Sequence, residues 1–326
     1  MRNRSGLGLA GLVCAFAFWT AACNSHPRAR IAFIPQTEGN SQWDPALAGA
    51  ENAAVPAGIS IYWNAPARED DVEAQIALVD RVVGGNYQGL ILAPDQALSL
   101  IAPVRRALAH NIPTVIIGSP LPIPAGGNLI DVLNDDLEGG KIAARRVDSL
   151  LHGHGTVALL GINPDITGIM IRSRAFEEFL TQNYPGIRIV EKRMGTFNFA
   201  HEQQVAEDTL RANPNLDVIV ALMWPTLDGT LSALDTMPEG HPIKIIGFDP
   251  FGLPAFQLKA SLDSVIREDT RSMARQAIDL LHAKLQGQSV PALVRLQPKL
   301  ITRDNIDTPE VRLMFSARSW HWSPAQ

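Results

Sequence analysis

Short apolar runs alternate with helix-patterned segments along most of this 326-residue chain, in two series of similar length. In the first, apolar runs at 31–34, 59–63, 90–92 and 114–117 are separated by helical patterns at 43–54, 70–83 and 98–110. Within 70–83, Val72, Ile76, Val79 and Val83 recur at steps of three and four and make one apolar stripe. A second series begins after Asn134. Its strand-like runs lie at 157–160, 187–190, 218–222 and 243–248, with helices expected at 172–183, 200–212 and 227–235. Repeated strand–helix units require a parallel sheet with helices on both faces and right-handed crossovers. Two such series predict an α/β chain of two Rossmann-like lobes. Ligands of such sheets lie beyond the carboxyl ends of the strands, which places the site in a cleft between the lobes. A further helix is expected at 272–285, stopped by Gly287, followed by strands at 292–296 and 299–302. The Pro/Gly-rich stretch 119–127 reads as a surface excursion, and 316–326 as an irregular tail.

Composition narrows the function. Hydrophobic residues make up 46% and charged residues 19%, and 28 Lys+Arg stand against 33 Asp+Glu for a net charge of −5. That excludes a globally disordered chain and a polytopic membrane protein. A mildly acidic chain with no basic run is not built to hold nucleic acid. At the start, Arg2 and Arg4 precede an apolar stretch at 7–19, too short to span a membrane, and Ala21-Ala22-Cys23 follows. Residues 1–22 are therefore expected to be a signal peptide. The segment resembles the lipobox of bacterial lipoproteins, which implies lipid on Cys23, although Thr20 stands where that motif usually has Leu; plain cleavage after Ala22 is the alternative. Cys14 lies in the leader, so a cleaved chain keeps Cys23 alone, without an intrachain disulfide or a Cys-based metal site. His152-Gly153-His154-Gly155 falls where a helix-to-strand loop belongs and reads as a solvated turn. No nucleophile–base set, phosphate loop or metal motif has usable spacing, so no catalytic residue, metal or cofactor is expected.

A set of short motifs, in order, carries a resemblance. They are residues 31–35 followed by Asn40-Ser41-Gln42-Trp43 and Gly49-Ala50-Glu51; Arg68-Glu69-Asp70-Asp71 with Gln75; Gly89-Leu90-Ile91-Leu92-Ala93-Pro94; and Asn111-Ile112-Pro113-Thr114-Val115. Asn134-Asp135-Asp136-Leu137-Glu138-Gly139-Gly140, Tyr184-Pro185-Gly186, Ala212-Asn213-Pro214-Asn215-Leu216-Asp217, Ile246-Gly247-Phe248-Asp249 and Asp304-Asn305-Ile306-Asp307 continue it. Together they resemble the type I periplasmic binding proteins, the superfamily of ribose-binding proteins and the lactose-repressor core, over residues 30–310. The resemblance implies an exported, monomeric receptor that captures a small solute, often a sugar or sugar derivative, for an ABC permease. A leader rather than a DNA-binding segment precedes the core, which favours the transport branch. A ligand-sensing receptor for signalling or chemotaxis is the alternative. The implied lobes are 30–133 plus 269–297 and 134–268 plus 298–315, joined by a three-strand hinge near 133–135, 267–269 and 297–298. Residues 23–29 become a linker. The protein is then periplasmic or on the outer envelope, touching the membrane only through lipid at Cys23.

The resemblance also implies a site. Trp43 stands where the family places an aromatic after the first strand, able to stack on a sugar's C–H face; Asn40 can donate to and accept from a hydroxyl. Arg172, four residues before Phe176, is the implied ligand-binding arginine, with a fork that can bridge two hydroxyls or a carboxylate; Arg174 is its rival. Phe197, with Phe199 as a competing choice, is the second-lobe aromatic. Asp249 can accept two hydroxyl hydrogen bonds. Glu268, where relatives often have Gln, can take ligand hydroxyls or pair with Arg267 or Arg271. Met223 and Trp224 replace the polar residues common in sugar binders, and Gly118-Ser119 replaces another polar anchor. These departures predict a neutral, partly apolar guest, less hydroxylated than a simple hexose. Trp63 is open to either the cleft mouth or the core. A hydrolase using Asp249 and Glu268 lacks an activating partner.

Overall fold

The computed structural model describes residues 29–38, 42–68, 70–236, 243–250, 252 and 260–317. The expected leader, Cys23, Asn40 and nearly all of the expected tail lie outside the described residues.

The first sheet is built from β1 (Ala29–Ile34), β2 (Ile59–Trp63), β3 (Gly89–Leu92), β4 (Thr114–Gly118), β5 (Leu129–Asn134) and β11 (Leu293–Leu296), in the order β11-β5-β4-β3-β1-β2, all parallel. The second holds β6 (Gly155–Ile162), β7 (Ile187–Met194), β8 (Val218–Ala221), β9 (Lys244–Phe248), β10 (Leu262–Arg267) and β12 (Lys299–Thr302), in the order β12-β10-β9-β8-β6-β7, with only β12 antiparallel to its neighbour. The central strands read as continuous apolar runs, as sheets covered on both faces require. On β1, Ile31 and Phe33 face one core while Ala32 and Ile34 face the other. In the first lobe, α1 (Asp44–Ala54) and α8 (Thr270–Leu285) cover one face, and α2 (Val72–Val83) and α3 (Ile101–Ala109) the other. In the second, α4 (Asp136–Leu151) and α5 (Thr167–Asn183) cover one face; α6 (Phe199–Ala212) and α7 (Trp224–Asp235) cover the other. A short α9 (Pro309–Met314) closes the second lobe.

Among the described residues the chain passes between the sheets three times: from β5 into α4, from β10 into α8, and from β11 to β12. The first two passages end alike. Asp135 accepts from the Glu138 N–H and caps α4, and Asp269 accepts from the Ser272 N–H and caps α8. Gln297 donates to Asp135 at 3.0 Å, which links the third passage to the first.

Several elements differ from the sequence expectation. Strands β5 and β10 and helix α4 were not anticipated, because the polar residues of LIDVLN and LDSVIR interrupt their apolar runs. Helices α5 and α7 begin at Thr167 and Trp224, earlier than their apolar periodicity. The stretch expected as a surface excursion has an inner part: Leu121 is buried and Ile123 packs on the core. Trp63 stacks on Phe33 at 4.6 Å and belongs to the core. His152 is the left-handed cap that ends α4, in the helix-to-strand loop. Among the described residues no helix is long and apolar enough to cross a membrane, and no cluster of three His, Cys, Asp or Glu is placed to hold a metal.

Candidate functional site

The carboxyl ends of the two sheets face each other across a hollow of about 70 Å³. From the first sheet, Gln36 follows β1, Ala93 follows β3, Gly118 ends β4 and Ser119 follows it; Gln42 and Trp43 lead into α1. From the second, Met223 and Trp224 follow β8 and Asp249 follows β9, while Ile166, Gly168, Ile169 and Arg172 come from the start of α5. Phe197, Asp136 and Glu268 complete the lining. Of the eight residues expected at the ligand, seven therefore line one hollow, and Asn40 is outside the described residues.

The centre of the site is Arg172, buried on the inward face of α5 with Ile169 and Phe176. Its Nε donates to Asp136 at 2.7 Å, and one Nη lies 2.6 Å from the same carboxylate oxygen. That Nη also donates to Glu268 at 2.7 Å. The other Nη donates to Asp249 at 2.7 Å and to the Leu222 carbonyl at 3.4 Å. A guanidinium has five N–H donors, and the protein takes four hydrogen bonds from them here. The fork thus grips carboxylates of its own lobe while Arg172 lines the hollow. Oxygen acceptors are what the second lobe presents around Arg172. Burial opposes the arginine's charge, but Asp136, Asp249 and Glu268 outweigh it and raise its pKa. Glu268 pairs with Arg172 rather than with Arg267 or Arg271. Burial is the main reason its carboxyl is pushed up to about 8; Asp249 adds to this and Arg172 opposes it. Asp136 is likewise raised, by burial first, against the pull of Arg172.

Local structure sets this geometry. Asp249 sits at φ 47°, a left-handed conformation that Asp tolerates better than most residues. There its N–H donates to the Ile266 carbonyl and its Oδ1 accepts from the Glu268 N–H, both at 2.9 Å. Gly140 on α4 lets α5 approach: a Cβ there would lie 2.3 Å from the Arg172 carbonyl oxygen. Trp43 is the residue just before α1, 4% exposed, with its indole N–H unpartnered and shut off from water. It is a core residue and a cleft wall at once. Phe197 is half-buried at the hollow, whereas Phe199 is exposed at the start of α6. Arg174 is exposed and lines a groove on the outer face of α4 and α5.

The lobes touch at the mouth. Ser119 Oγ from the first lobe accepts the Gly168 N–H at 2.9 Å, serving the start of α5, whose own N-cap residue, Ile166, offers no side-chain bond. Ala97 N–H reaches the Asp165 carbonyl at 3.4 Å, and Arg271 of α8 donates to the Ser316 carbonyl at 2.8 Å. This is a closed arrangement. A cavity of about 150 Å³ holds benzene, so a larger ring enters here only when the lobes part.

Asp136, Gln36, Gln42 and Ser119 were not anticipated as lining residues. Asp136 had a signal, the polar triplet Asn134-Asp135-Asp136 at a strand's carboxyl end. That triplet matched a lobe crossing, and the crossing explained it without a buried charge.

Similarity to known proteins agrees with this architecture. The family model for the periplasmic binding protein domain matches residues 31–289. The D-allose-binding periplasmic protein of Escherichia coli K12 is 26% identical over 233 residues, 69% of this chain and 74% of that one. The xylitol-binding protein of Mycolicibacterium smegmatis is 25% identical over 267 residues, 79% of this chain and 73% of that one. A carbohydrate transporter solute-binding protein from Agrobacterium radiobacter, solved in complex with D-arabinose, superposes with a TM-score of 0.80 at 22% identity, covering 90% of this chain and all of that one. These relatives are binding proteins. Two opposed parallel sheets, a cleft at their carboxyl ends and a family match across most of the chain lead to one assignment: the chain belongs to the periplasmic binding protein domain family.

Proposed function

We propose that this protein captures a small carbohydrate-like solute between its lobes and delivers it to an ABC importer. The observation that carries the reading is the lining itself. The carboxyl groups of Asp136, Asp249 and Glu268 line the same hollow as the aromatic side chains of Trp43, Phe197 and Trp224, so partners for hydroxyls and for a ring face share one space. Carboxylates hold hydroxyls by charge-assisted hydrogen bonds, and indole and phenyl faces take the C–H face of a sugar ring. The names of the relatives, which bind D-allose and xylitol, support the ligand class. The periplasmic location in the name of the D-allose-binding relative supports an exported protein, and residues 1–22 with Cys23 fit a leader and a lipid attachment point. Met223 and Trp224 make one wall apolar, which favours a sugar with fewer hydroxyls or an apolar substituent. The working unit is a monomer, since the lobes of one chain supply both walls.

Closure is a hinge motion through the three passages between the sheets. A ligand drives it only by binding the closed form better. The test is a panel of aldopentoses, aldohexoses, 6-deoxyhexoses and pentitols, read by thermal shift and then by calorimetry. At least one should bind with one-to-one stoichiometry, and Asp249→Ala should weaken that binding by about 2 kcal/mol or more. A panel in which nothing binds, or a hit indifferent to Asp249→Ala, contradicts the reading.

A further inference from the structure

Five charged groups gather at and beneath the cleft; Asp136, Arg172, Asp249 and Arg267 are buried, and Glu268 is half-buried, its side chain 11% exposed. Asp136 comes from α4, Arg172 from α5, Asp249 from the turn after β9, Arg267 from the end of β10, and Glu268 from the residue after it. Arg267 is 1% exposed; it donates to the Pro250 carbonyl at 2.9 Å and lies 4.5 Å over the Phe315 ring. Asp269, next in the chain, is turned to capping α8. Guanidinium groups stay charged in proteins, so the two arginines supply two positive charges. Three ionised carboxylates would leave this desolvated cluster with one negative charge too many. A buried group without compensation takes up a proton rather than keep its charge.

The bonds indicate which carboxyl that is. Asp136 accepts from Arg172 Nε, has an Nη of the same guanidinium 2.6 Å from that oxygen, and lies 3.4 Å from the Asn134 amide nitrogen. Asp249 accepts from Arg172 and from the Glu268 N–H. Glu268 accepts from Arg172 through Oε1 alone, and it is the least supported of the three. All five groups hang from second-sheet elements, so the cluster stays assembled when the lobes part.

We propose that Glu268 stands in the cleft as the neutral acid and donates its hydroxyl hydrogen to an acceptor oxygen of the bound solute. This names a donor in a lining otherwise rich in acceptors, and it rests on the solute-binding reading for its partner. The direction of its titration agrees: burial, with Asp249 and Asp136 adding, lifts Glu268 to about 8 against the pull of Arg172. Solute capture should then be flat with pH below that value and fall tenfold per pH unit above it, as loss of one required proton dictates.

The test is infrared spectroscopy of the ligand-free protein between pH 6.5 and 9.5, in wild type and Glu268→Gln. The difference between the two should show one neutral carboxylic acid C=O band at pH 6.5 that disappears with a midpoint near 8. In Asp249→Asn, which removes a facing negative charge, the midpoint should move down. A sugar found by the panel should bind Glu268→Gln at pH 9 as it does at pH 7. The proposal is overturned if no Glu268-dependent acid band exists at pH 6.5, if it titrates in the ordinary glutamate range, or if Asp249→Asn leaves the midpoint unmoved. The infrared arm needs no ligand, so a failed sugar panel sinks the sugar reading without deciding the proton.

Discussion

Arg172 makes four hydrogen bonds inside the second lobe, to three carboxylates and one carbonyl. Removing it leaves those carboxylates buried without a counter-charge, a change that costs about 3–5 kcal/mol in comparable pairs. Arg172→Met should therefore lower stability at pH 8 by about that amount, measured by urea unfolding. Without the guanidinium the folded-state pKa values of Asp136 and Glu268 rise further above their unfolded values. The lost stability is thus recovered as pH falls and the carboxyls take protons, and the gap to wild type should shrink toward pH 4. Arg172→Lys should not restore it, because a point charge cannot replace a planar fork. A loss under 1 kcal/mol at pH 8 contradicts this. At this scale the sequence was legible where a residue's type and motif agree, as for Trp43, Arg172 and Asp249. It was not legible for Asp136, since nothing in an Asp beside two other polar residues says that it will be 3% exposed.

Helices α4 and α5 meet through Gly140, and α1 meets α8 through Gly49, where a Cβ would lie 2.1 Å from the Arg271 carbonyl oxygen. The same device thus serves both lobes. Gly140→Ala should cost about 1–3 kcal/mol, the range for overpacking, and should also weaken solute binding, because it pushes the backbone of Arg172. Gly84→Ala is the control: its Cβ would meet only the Asp80 carbonyl oxygen, at 3.6 Å, and its φ is negative. Thermal unfolding should show the first variant destabilised and the second near wild type. Equal losses would remove the close-approach argument. Element boundaries were the least legible part of the sequence. The early start of α5 has a tertiary cause, a serine of the other lobe bonded to its first turn. Strand β5 hid because Asp131 interrupts its apolar run; burial then lifts that carboxyl to about 6, with Arg295 opposing.

The two sheets share one strand order, β2-β1-β3-β4-β5 in the first matching β7-β6-β8-β9-β10 in the second, with β11 and β12 added at corresponding edges. Repeated strand–helix periodicity made this two-lobe plan readable before any coordinates, since each unit can bury its apolar faces in few ways. The bonds across the mouth, Ser119 to Gly168 and Ala97 to Asp165, were invisible to it, because they join residues brought together only by closure. The central claim is that the lobes move as bodies about the three passages and shut on the solute. It is tested most directly by electron–electron spin distances between labels at Arg105→Cys on α3 and Gln204→Cys on α6, with Cys14 and Cys23 replaced by serine. A longer, broad distance distribution without sugar should become shorter and narrower when a sugar from the panel saturates the protein. An unchanged distribution at full occupancy would contradict the clamp.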